Sequence, residues 1–192
     1  KTANWPTRIM TFTRKVPGDV NSEWESTSFH DNGVPNIHSV SIHEHTLVVG
    51  YDVDNDSNNG NNQVAVYRRA SLQGVWEPSA VPLARPSDLG GPFQPMRSWA
   101  EHVRVHGDTV VVSERKYSVD GTSSLKYDRG RVCIYSYNTG AWVLDPPECV
   151  QPDWTLLEQS MPDAYQGHPH FGYSIDIDGD TIVAGGFGTC SN

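Results

Sequence analysis

Basic residues are scarce in this chain: 14 Lys and Arg stand against 23 Asp and Glu, a formal net charge of −9. Phosphate backbones are held by clustered Lys and Arg, and the nearest thing to a cluster here is Arg68-Arg69, so a nucleic-acid surface is not expected. Long apolar runs are also missing. None approaches the roughly 20 residues a membrane-spanning helix needs, so no bilayer span is expected in this segment. No stretch reads as a long amphipathic helix. The opening Lys1-Thr-Ala-Asn-Trp-Pro6 lacks the charged, apolar and small-residue order of a secretion signal and reads as the start of a mature or excised segment. Catalytic signatures are absent too: there is no Gly-x-Ser-x-Gly elbow, no His-Glu-x-x-His helix and no phosphate-cradling glycine loop. Cysteine is limited to Cys133, Cys149 and Cys190.

What is present is turn chemistry and alternation. Only 36% of residues are hydrophobic, beside 17 Gly and 13 Pro, a balance that suits short strands joined by many turns. In Phe171 to Gly186, Ile175 and Ile177 alternate with Ser174, Asp176 and Asp178, the period of a half-buried strand. Asp178-Gly179 reads as the positive-φ turn of a tight hairpin, with a second strand from Thr181 to Ala184. The same order recurs from Trp99 to Val112 and from Asn36 to Val49. After the first two hairpins a polar loop leads to a third strand, Val64 to Tyr67 and Val132 to Tyr135, and a turn leads to a fourth around Trp76 and Trp142. Repeated units that cannot bury both faces alone point to a repeat array, and four antiparallel strands per repeat make a β-propeller blade. The fold class expected is therefore all-β, a β-propeller of four-stranded antiparallel blades. One propeller-type region covers 1–192, with the outer strands of a blade in 1–35, full blades in 36–88 and 99–157, and the inner strands of a blade in 171–192. That is about three blades' worth of chain. Either the end halves pair to close a blade or the segment is part of a larger propeller; because propellers have four to eight blades, a piece of a larger ring is the expectation and a six-bladed ring of two such chains the alternative.

The order Phe171-Gly-Tyr-Ser174, alternating strand, Gly-Asp-Thr, aliphatic strand, long loop, aromatic strand and Gly-x-Trp resembles the FG-GAP repeat of integrin-α-like β-propellers, in its short-turn secreted form. The resemblance runs over nearly the whole chain. It is fullest at Phe171 to Gly186, while Asn36-Ile37 stands where the family has Phe-Gly. The Gly-Ala-Pro part is replaced at Gly50-Tyr51-Asp52, Ser113-Glu114-Arg115 and Gly185-Gly186-Phe187. The family's calcium loop lies between the first two strands, where this chain has a tight turn, so that site is not carried over. The resemblance implies adhesion or matrix interaction, with calcium as a structural ion.

The loop Tyr51 to Gln63 carries its own ligand pattern. Asp52, Asp54 and Asp56 alternate and Asn58 continues the series, hard oxygen donors at a spacing that can wrap calcium. Ser57 stands where such a loop has glycine, and Gln63 where it has glutamate. The other reading is a solvated loop whose short side chains bond their own backbone. Asn55-Asp-Ser57 is a glycosylation sequon, used only if the chain is secreted. The proline-rich stretches from Glu77 to Ser98 and from Asp145 to His170 read as connectors between blades.

Histidines 43 and 106 share one hairpin position with Asp178, which reads as a turn site rather than a ligand set; His168-Pro-His170 is a candidate soft-metal pair, with no Cys or carboxylate nearby in sequence to complete it. Phe12, Tyr67 and Tyr135 share a third-strand position and Trp24, Trp76 and Trp142 a fourth-strand one, so they are expected to pack blade on blade. Exposed rings would instead make a carbohydrate platform. A hairpin through Asn138-Thr-Gly140 brings Cys133 and Cys149 within bridging range, leaving Cys190 over, although Cys190 is also open as the partner of either.

The function expected is a secreted or cell-surface β-propeller that binds protein or glycan, or assembles an extracellular structure, without catalysis. Subunits associating edge to edge are one version. The rival is a secreted polysaccharide lyase or hydrolase on the same fold, since a fold hosts many functions.

Overall fold

The computed structural model describes residues 9–29, 36–52, 62–79, 83–86, 99–115, 129–152 and 170–186. All regular structure among them is β. One four-stranded sheet joins β3 (Asn36–His43), β4 (Thr46–Asp52), β5 (Asn62–Arg68) and β6 (Glu77–Pro78) in sequence order; a second joins β7 (Trp99–His106), β8 (Thr109–Glu114), β9 (Arg131–Asn138) and β10 (Ala141–Leu144). Two hairpins stand at the ends, β1 (Ile9–Arg14) with β2 (Trp24–Phe29), and β11 (Ser174–Asp178) with β12 (Thr181–Gly185). Every pairing is antiparallel. The expected all-β class with four-stranded antiparallel sheets is what forms. None of the sheets closes on itself, and the two end hairpins are separate two-stranded sheets rather than partners in one.

Register gives each sheet two distinct faces, because residues paired across strands point the same way. In the first sheet Val40, Val49 and Ala65 are in line, as are Ile42, Leu47 and Tyr67; these make a front face. Ser41, Val48 and Val66 share the back with His43, Thr46 and Arg68. In the second sheet Val103, Val112 and Cys133 lie in front with Val105, Val110 and Tyr135, whereas Val111 and Ile134 lie behind.

Packing follows one rule, back against front. Val48, Val64 and Val66 on the back of the first sheet form one core with Val103, Val105, Val110 and Val112 on the front of the second. On the far side, Val111 and Val132 take the front of the β11–β12 hairpin through Ile175, Ile177, Ile182 and Ala184. On the near side, Ile9 of β1 packs on Leu47, Val49, Tyr67 and Trp76, the front of the first sheet. Each fully buried aliphatic side chain contributes about 1.5–3 kcal/mol, so these seams hold the four sheets in one stack.

One close approach brings the first two sheets together. A Cβ on Gly50 would stand 2.1 Å from the Ala100 carbonyl oxygen, so glycine lets β7 reach the first sheet. Ala100 itself has φ 62, and Gly172, at the matching place in the next repeat, has φ 86. The Phe-Gly pair of the repeat therefore marks a left-handed residue, which the middle copy fills with alanine.

The hairpin turns correct one expectation. Asp178 pairs with Thr181, His106 with Thr109 and His43 with Thr46, so these three residues end strands rather than form turns. The turn residues are Gly179-Asp180, Gly107-Asp108 and Glu44-His45, with positive φ at the first of each pair. A type II′ geometry needs positive φ only there, which leaves the preceding residue free to stay in the ladder.

Candidate functional site

The seam between the first two sheets is closed by side chains. β7 lies at the edge of its sheet, and alternate N–H groups along such an edge point away from the neighbouring strand. Here Val103 N donates to Ser39 Oγ at 3.2 Å, Val105 N to Ser41 Oγ at 3.0 Å and Gly107 N to His43 Nδ1 at 2.9 Å. Three polar side chains on the back of β3 thus cap two alternate donors of β7 and the first donor of the turn that follows it, satisfying groups that are costly to leave unmet.

The next seam uses charge instead. Arg104 stands where Ser41 stood and has no acceptor to offer, and Ile177 N donates to the carboxylate of the adjacent Asp176 at 3.0 Å. That carboxylate lies 3.6 Å from Arg104 Nε. The rings of His43 and His106 stack at 4.1 Å, and Asp178 lies 3.8 Å from His106 Nδ1. Residues expected only to serve turns therefore form a row across three sheets. His102, earlier on β7, contacts the Tyr173 ring edge-on at 6.0 Å. Burial holds the His102 pKa below its ordinary 6.5, partly opposed by Glu101 and reinforced by Arg104 and Arg115.

Where β8 ends, Glu114 is buried between two guanidinium groups. Arg131 Nε donates to it at 2.8 Å and Arg85 forms a short bond to its other oxygen. Arg115 and Glu101 pair nearby. Burying Glu114 with cations in contact meets the requirement that an interior charge be matched. No local motif announces this cluster, since its members come from a connector and two strands.

The sequence-marked sites fall as follows. Cys133 and Cys149 are at disulfide distance, with Cα atoms 4.2 Å apart. The chain reaches that position because Val150 returns to bridge Val132 beside β10. Asp52 is a buried residue at the end of β4, opposite Asn36 and Asn62. Asp54, Asn55, Asp56, Asn58, His168 and Cys190 lie outside the described residues. Among the described residues, no group of three or more His, Cys, Asp or Glu is placed to hold a metal ion. No described helix is long and apolar enough to cross a membrane.

The aromatic positions separate into two kinds. Tyr67, Trp76, Tyr135 and Trp142 are 2–7% exposed, packed between sheets. Phe12 and Trp24, at the matching positions of the first hairpin, are each 59% exposed, which corrects the expectation of packing for them. The physical reason lies in the register. Ile9 and Thr11 are the side of β1 that packs on the first sheet, and Trp76 Nε1 donates to Thr11 Oγ1 at 3.3 Å. Met10, Phe12 and Trp24 point the opposite way, to the front. Arg14 lies over the Trp24 indole, 4.5 Å from its centroid. Elsewhere this chemistry fills a core; at the first hairpin it forms an open surface.

No protein-family model matches the chain, and a search of curated proteins finds no match either.

Proposed function

We propose that the protein is an extracellular, non-catalytic binding and assembly module of the β-propeller type, similar to FG-GAP repeat proteins in how its blades are built. The observation that carries this reading is the front of the first hairpin, where Met10, Phe12 and Trp24 are exposed with Arg14 on the indole. Rings with a cation beside them suit recognition of a protein or glycan surface, because they supply contact area at low entropic cost. The cysteine pair supports an oxidising, extracellular setting. Calcium belongs to this reading as a structural ion of the loop that leaves Asp52.

Binding of the chain to immobilised copies of itself, to extracellular glycans and to matrix proteins, compared between wild type and Trp24→Ser, tests the reading. Saturable binding that falls at least tenfold in the variant is expected, with no product from any glycan. Turnover of a polysaccharide, or binding indifferent to Trp24, would contradict it.

A further inference from the structure

The rule of back against front leaves four surfaces uncovered, and they match in pairs. On the front side, Met10, Phe12 and Trp24 of the first hairpin are exposed, as are Val40 and Ile42 of β3, both 50%. The residues that repeat these last two, Val103 and Val105 in β7, are 0% and 5% exposed because a neighbouring sheet lies on them. On the back side, Val183 of β12 is 64% exposed, although Val48 and Val111, its counterparts, are both fully buried. Val143 of β10 is likewise open, on the same face as half-buried Ile134.

The positions of the open surfaces are complementary as well as their faces. The first hairpin packs on Leu47, Val49 and Tyr67 of β4 and β5 and leaves Val40 and Ile42 of β3 exposed. The last hairpin packs on β7, β8 and Val132 of β9 and leaves Val143 of β10 exposed. Among the described residues, β1 and β12 each pair on one edge only.

We propose that a second copy of this chain fills these surfaces, the last hairpin of one copy joining the first hairpin of the other into one four-stranded sheet in the order β11-β12-β1-β2. This rests on the reading that the open aromatic front is a binding surface, and it names the occupant. In that arrangement the back of β12, with Val183, lies on Val40 and Ile42 of the other copy. The front of the other copy's first hairpin, with Phe12 and Trp24, lies on Val143 and Ile134. A single contact thus extends the packing already seen between sheets inside the chain. The contact is head to tail, so two copies close a ring by making it twice, which gives six four-stranded sheets, within the range of known propellers.

Native mass and sedimentation of the wild-type chain, Trp24→Ser and Val183→Asp test the proposal. Both substitutions are at exposed positions, so each variant should retain the wild-type cooperative melt. Wild type is expected at twice the 21.3 kDa chain mass. Each variant alone should be at least tenfold more dissociated, and an equimolar mixture should recover dimer, because one of its two contacts pairs an unaltered Trp24 side with an unaltered Val183 side. Wild-type monomer at all concentrations overturns the second-copy proposal. If such a monomer still binds glycan or matrix protein through Trp24, the binding reading survives alone; if Trp24 affects nothing, both fail. Dimer that forms equally well in either variant also overturns the proposal.

Discussion

Trp142 and Trp24 occupy one position of the repeat and meet opposite fates. Trp142 lies 7% exposed against Tyr137 and the back of the preceding sheet, whereas Trp24 lies 59% exposed with Arg14 on its ring. Their own strands do not explain this, since both sit in antiparallel pairs with an aromatic or cationic neighbour. The difference is whether a back face stands in front of the indole. Burial in this molecule is thus a property of the stack, and each sheet needs its neighbours to complete its core.

The sharpest test of that contrast is to remove each ring. Trp142→Ala should cost about 3–5 kcal/mol, the usual loss for a buried large side chain. Trp24→Ala should change the stability of the dilute chain by no more than about 0.5 kcal/mol. Urea unfolding at low protein concentration measures both, and equal costs would break the comparison. Second in size is Glu114→Gln, which keeps the shape but removes the buried charge that Arg131 and Arg85 share. A loss of about 3 kcal/mol is expected, and a neutral result would show that solvent reaches the cluster.

The two seams supply a smaller contrast. Ser41→Ala removes the cap on Val105 N and should cost about 1 kcal/mol. Arg104→Ala, at the same position one sheet on, should cost less than about 0.5 kcal/mol, because Asp176 still accepts from Ile177 N. Equal losses in thermal unfolding would mean that the caps do not hold the first seam. The smallest effect belongs to His102. Its folded pKa is held below 6.5 by burial, so the folded chain binds fewer protons than the unfolded one between the two values. Its contribution is fully present above pH 6.5 and is lost as pH falls through the folded value. Between pH 7 and pH 5 the wild type should lose slightly more melting temperature than His102→Gln, and parallel curves would remove His102 from the account.

Much of this arrangement was legible from residues alone. Period-two alternation located the strands, and the repeated Trp and Tyr positions identified the third and fourth strands of each sheet. The spacing of Cys133 and Cys149 across one hairpin anticipated their approach. What escaped was everything decided between sheets. Ser39, Ser41 and His43 look like ordinary polar residues of an alternating strand. Their role as caps depends on which edge of β7 lies opposite. Asp178 reads as a turn residue because Asp-Gly commonly forms turns, yet the ladder to Thr181 keeps it in the strand. Phe12 and Trp24 carry the same letters as their buried counterparts, and no local pattern tells a covered front from an open one. Glu114, Arg85 and Arg131 are far apart in sequence, and only the fold brings them together.

The central claim is that packing of back on front continues across the surface around Trp24. Hydroxyl-radical footprinting, resolved to the peptides carrying Trp24, Phe12 and Trp142, tests it most directly over a range of chain concentrations. Trp24 and Phe12 should react far faster than Trp142 when dilute, and become protected toward its level as concentration rises. Reactivity at Trp24 that is unchanged at every concentration would contradict it.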